Sequence, residues 1–177
     1  MIHKRLKYFL WYYSIYCILL IGTGIYLGNI VNKDLFEAAP PTSGQEFMSV
    51  VLTHNLTNFA MYLLGFLLSP LFQIMDFGGS SFVITMGFRT LGAQEALGKL
   101  IPHGLLEFPN MLFYQGISQY VLFTLIYTKS IKAALGVMKK MIPYYLLSLV
   151  ILIIAAFIEG YDSLLFSIMM INNRWFY

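Results

Sequence analysis

A chain of 177 residues that is 59% hydrophobic and 11% charged, with a mean hydropathy of +0.73, is too apolar for an ordinary soluble domain. Its net charge of +3 comes from Lys and Arg placed mainly at the ends of apolar runs, a membrane-topology signal that excludes a nucleic-acid partner because no basic face follows a phosphate backbone. The lone Cys17 lies inside the first apolar run without an intrachain partner, which excludes a disulfide framework.

The basic tail MIHKRLK precedes an uncharged run over Tyr8–Val31, long enough to cross about 30 Å of hydrocarbon and too long for a signal-peptide core. The following NKDLFEAAPPTSGQE carries one Lys against three acids and a Pro40-Pro41 break, so it suits the outer side while the tail stays inside. A second helix is expected over 47–75, with Pro70 late in it. A third, over 81–100, contains Arg89 and Glu95 and rests on parity more than hydropathy. The four lysines of TKSIKAALGVMKK belong inside, and a fourth helix over 102–127 ends there only if the third segment also crosses. The connection between the second and third, DFGGSS, should then face the cytoplasm. Pro102 suits the first turn of the fourth helix, and a fifth helix runs over 143–168. The expected fold is all-α, one membrane domain over 1–177 with five transmembrane helices, N-terminus inside and C-terminus outside. Glycines in GTGIYLG, GGSS and GFRTLGAQEALG would let helices approach closely.

That topology brings several polar residues to one level near the outer leaflet: His54, Asn55 and Asn58 on the second helix, His103 and Glu107 on the fourth, and Glu159 on the fifth, about 24 Å beyond Pro143 at 1.5 Å per residue. Four residues apart, His103 and Glu107 share a helix face, with Asn110 roughly on the same side. A glutamate facing lipid costs several kcal/mol, so Glu107 and Glu159 should turn inward. Three chemistries fit such a cluster. The first is a structural hydrogen-bond network that locks three helices. The second is acid–base catalysis, with His103 beside carboxyls whose environments drive their proton affinities apart. The third is a zinc site made from His103, Glu107, Glu159 and His54, although no H-E-x-x-H signature accompanies it. Arg89 either pairs with Glu95 or the Glu107 cluster, or serves a helix end. No Walker motif or Ser/His/Asp order occurs, so any energy source must be another subunit.

Pro102, His103, Gly104 and Glu107 form a P-H-G-x-x-E element, and Ala156, Glu159 and Gly160 form an A-x-x-E-G element; with Asn55 to Gly65, these make the chain resemble the stage II sporulation protein M family. It departs from the family pattern at His54, where Asn is usual, and at Met86-Gly87, where Asn-Gly is usual. The resemblance implies a multi-pass protein of the bacterial cell membrane. The sporulation member is a scaffold working with cell-wall hydrolases. Shorter relatives sit in circular bacteriocin gene clusters beside a transporter ATPase and other membrane proteins, which implies a role in peptide maturation or export. The leading expectation is therefore a membrane subunit handling an apolar peptide. The alternatives are an intramembrane peptidase or cyclase using Glu107 or Glu159 with His103, and a wall-remodelling scaffold.

Overall fold

The structure, a computed structural model, describes residues 2–35 and 45–173. Within the helices, the side chains of Ile2, His3, Leu35, Gln45, Glu46, Phe47, Lys99, Pro102 and His103 and those from Glu159 onward lie outside that description, as does the Pro40-Pro41 loop. The described chain is all-helical. Three of its helical runs are long and apolar enough to cross a membrane: Lys4–Ile30, Phe66–Leu91 and Ile131–Ile158.

Helix α1 covers Ile2–Ile30, and Tyr8, Trp11, Ile15, Ile18 and Tyr26 lie exposed on it as a lipid-facing surface would require. After Asn32 accepts a hydrogen bond from the Asp34 amide, a short 3₁₀ turn spans Lys33–Leu35. Helix α2 covers Gln45–Leu64 and breaks at Gly65, eleven residues short of the end at 75 that the apolar pattern predicts. Glycine is needed there, because a Cβ would lie 2.7 Å from the Met61 carbonyl and 2.8 Å from the Phe72 ring. The chain turns so tightly that Phe72 packs edge-on against Tyr62, 5.8 Å between centroids.

Helix α3 then covers Phe66–Leu91 as one run. It opens as a 3₁₀ turn, continues as α-helix over Ser69–Gln73, widens to a π turn over Ile74–Gly78 and returns to α-helix over Gly79–Leu91. Two expectations are corrected here. Pro70 stands in the first turn of this helix's α-helical part, just after the 3₁₀ opening, instead of interrupting the previous helix. DFGGSS is helix and not a connection. In an apolar solvent each unsatisfied backbone group is expensive, which keeps the Gly78-Gly79 pair helical despite its intrinsic preference for turns.

Gly92, at φ +82°, makes the turn into helix α4, Ala93–Thr128. This helix begins nine residues before Pro102, so Pro102 is internal rather than a first-turn residue. Lys129, left-handed at φ 52°, and Ser130, whose Oγ accepts from the Ala133 amide, turn the chain into helix α5, Ile131–Asn173, with Pro143 inside it and not at its start. A positive-φ glycine at one boundary and the Lys129-Ser130 cap at the other, not the prolines, set these turns.

Helix α4 packs most extensively on α5, α1 on α3, and α2 on α5. The core joins Phe59, Tyr62, Tyr114, Ile117, Tyr145 and Leu152 from α2, α4 and α5. The α1–α3 contact uses Gly24 and Gly28, where added Cβ atoms would lie 2.6 Å from the Gly78 carbonyl and 2.7 Å from Thr85 Cβ. Gly22 faces open space. We expect Gly24→Ala to cost about 1–3 kcal/mol through overpacking and Gly22→Ala to be nearly neutral, read as the difference in thermal midpoint in detergent. Equal midpoints for the two variants would refute the close packing of α1 on α3.

Candidate functional site: a polar cavity between α2, α3 and α4

A cavity of about 680 Å³ opens where α2, α3 and α4 meet. His54, Asn55 and Asn58 of α2, Asp76 and Ser80 of α3, and Glu107 and Tyr114 of α4 supply its polar lining. Val50, Val51, Met75, Phe82, Leu100 and Leu152 are among the residues of its apolar wall.

Asn55 and Glu107, far apart in sequence, meet directly: Asn55 Nδ2 donates to Glu107 Oε1. A hydrogen bond to a carboxyl in a mostly apolar wall both satisfies the acid and fixes α2 against α4. His54 and Asn58 follow helical spacing and pair with each other, His54 Nε2 to Asn58 Nδ2 at 3.1 Å. Gly104 also lines the cavity, and a Cβ there would make only ordinary contact with Leu100 at 3.4 Å.

Two expected members go elsewhere. Asn110 is buried on the α5 side of α4, where its Nδ2 donates to the Ser148 carbonyl at 2.9 Å and its Oδ1 accepts from Ser148 Oγ at 2.6 Å. It clamps α4 to α5. Arg89 serves a helix end: Nη1 donates to the carbonyls of Gly28 at 2.5 Å and Val31 at 2.7 Å, satisfying the last turn of α1 and placing a cation at the negative end of its dipole. His103, Glu159, Pro102 and Gly160 lie outside the described side chains. On the backbone, position 103 is one turn before Glu107 on α4, and Leu152, seven residues before Glu159 on α5, reaches the cavity. Among the described residues no group of three or more His, Cys, Asp or Glu is placed to hold a metal ion.

Asp76 is the residue that sequence reasoning missed. Assigned to a loop, it stands instead in the π turn, near the middle of α3, roughly 15 Å from Phe66 at 1.5 Å per residue. A π turn inserts one residue into the helical register and re-aims the side chains around it. Asp76 faces the cavity, the Tyr62 hydroxyl and, across the space, His54. Its signal in the sequence was the run Phe66–Leu91, which carries only Asp76 and Arg89 as charges.

Deeper along α4 a second polar group lies fully buried. Gln119 Nε2 donates to Gln73 Oε1, and Gln73 Nε2 donates to Tyr13 Oη at 3.2 Å and lies 3.5 Å from Cys17 Sγ. Tyr13 in turn donates to the Leu112 carbonyl at 2.7 Å, so α1, α3 and α4 are joined at one point. Ser118 Oγ donates to the Tyr62 carbonyl at 2.6 Å, tying α4 to α2 beneath the cavity.

The stage II sporulation protein M family model matches residues 12–163. An uncharacterized protein of Methanocaldococcus jannaschii is 22% identical over 146 residues, covering 76% of this chain and 67% of that protein. No solved structure matches. A family match across α1 to α5, taking in both the P-H-G-x-x-E and A-x-x-E-G elements, places the chain in the stage II sporulation protein M family.

Proposed function

We propose that this chain is the non-ATPase membrane subunit of a bacterial peptide maturation and export complex, with five spans, N-terminus inside and C-terminus outside. Its partners are other membrane subunits and an ATP-binding transporter protein, and its cargo is an apolar peptide of the circular bacteriocin type. The observation that carries this reading is the cavity between α2, α3 and α4, in which a few polar groups stand in a wall of Val, Leu, Met and Phe. That composition suits an apolar ligand fixed by a small number of polar contacts. The apolar outer surface of α1 supports placement in a bilayer. The sequence carries no nucleotide-binding motif, so ATP must act through a partner.

Affinity purification from native membranes, with a tag on this chain, should bring down a larger membrane protein and an ATP-binding protein. Recovery of the chain as a stable, solitary species would defeat the proposal. A second reading, an intramembrane peptidase or cyclase, draws on the Glu107 carboxyl facing the cavity, one helical turn from position 103.

A further inference from the structure

The cavity lining is chemically lopsided. Among the described residues it holds two carboxyls, Asp76 and Glu107, and one imidazole, His54, with no Lys or Arg. Glu107 already accepts from Asn55, and His54 is joined to Asn58. Asp76 faces the buried Tyr62 hydroxyl and, across the space, the His54 imidazole. Tyr114, also buried, lines the same cavity within electrostatic reach of both acids. Arg89, the other charge of α3, is committed to the carbonyls that end α1. A carboxyl halfway along a membrane-compatible helix is costly unless a cation or a proton meets it. The cavity beside Asp76 has room for a cation carried by the ligand itself.

We propose that the cavity receives an apolar peptide by its free N-terminal ammonium group, which Asp76 binds as counter-ion, with Glu107 as the second acid lining the same cavity. An ammonium supplies up to three donors, and in the cavity lining the carboxylate oxygens of Asp76 and Glu107 can accept them. Depth selects the peptide over an amine lipid. Asp76 lies near the middle of α3, whereas a lipid headgroup remains at the interface, about 15 Å from the bilayer centre. This inference rests on reading the cavity as a peptide site, and it adds which end of the peptide enters.

The test uses the full chain in nanodiscs of phosphatidylcholine and phosphatidylglycerol. The probe is a Lys-free peptide of about 12 Leu, Ile and Ala residues, dansylated at its C-terminus, with the N-terminus either free or acetylated. The free amine should bind about tenfold or more tightly than the acetylated form, and Asp76→Asn should abolish that preference while still binding the acetylated peptide. The comparison on the unmodified protein stands even if Asp76→Asn does not fold. Equal binding of the two peptides would overturn the ammonium site and leave the peptide cavity standing. Binding of neither would overturn both. Displacement of the free-amine peptide by added phosphatidylethanolamine would assign the acids to a lipid headgroup and overturn the peptide assignment.

Discussion

Asn55→Leu should destabilise the protein by about 1.5–3 kcal/mol, and Glu107→Gln by clearly less. The first removes the donor and leaves the Glu107 carboxyl without its partner in a mostly apolar wall. The second keeps size, shape and an acceptor oxygen for Asn55 Nδ2, losing only the ability to ionise. Thermal midpoints in one detergent would give the order, and an inverted order would show that Asn55 is not what satisfies Glu107. The same pair separates the functional readings. If the chain is a peptidase or cyclase using Glu107 as base, folded Glu107→Gln should yield essentially no product, since loss of a general base costs roughly 10²–10⁴-fold. If the cavity only holds cargo for a partner, product formation should persist in Glu107→Gln and fall in Asn55→Leu in step with the amount of folded protein. Wild-type product levels from folded Glu107→Gln would dismiss the catalytic reading.

The second large effect belongs to the buried glutamines. Gln119→Leu removes the donor to Gln73 Oε1 and leaves that oxygen orphaned where no water is exposed, at a cost of about 1–3 kcal/mol. Gln73→Leu breaks more, because Gln73 also donates to Tyr13, and so loosens α1 as well as α4 from α3. The double substitution should cost less than the sum of the two. The coupling expected for an interhelical hydrogen bond in a membrane protein is about 0.6 kcal/mol, reaching about 1.7 kcal/mol for the strongest. A double-mutant cycle of unfolding in mixed micelles measures it. Strict additivity would mean that the two amides act independently and that the three-helix junction is held by packing alone.

Particular residues show how far the sequence could be read. Uncharged runs identify α1 directly, and Lys129 and Ser130 stand at the observed α4–α5 turn because a left-handed residue and a side-chain cap end and begin helices on local grounds. The close approach through Gly24 and Gly28 was legible as a stretch of glycines, but which glycines matter depends on what stands opposite, and Gly22 has no neighbour. Gly65 was invisible as a helix end. A single glycine inside an apolar run reads as tolerated, and only Phe72 folding back over it makes the break obligatory. Likewise Gly78-Gly79 reads as a turn to any rule calibrated in water, whereas in a bilayer the backbone has no other donor or acceptor to use.

Composition and motif by themselves determined that the protein is a helical membrane protein, that it belongs to its family, and that Glu107 needs a polar partner, because hydrophobic run length and the cost of an unpaired carboxyl are properties of the chain and its solvent. Tertiary structure alone decided that Asn55 is that partner, that Asn110 and Arg89 serve helix contacts instead, and that Asp76 faces the cavity. The direction in which a side chain points depends on helical register, and the π turn over Ile74–Gly78 shifts that register without leaving a mark in the hydrophobic pattern.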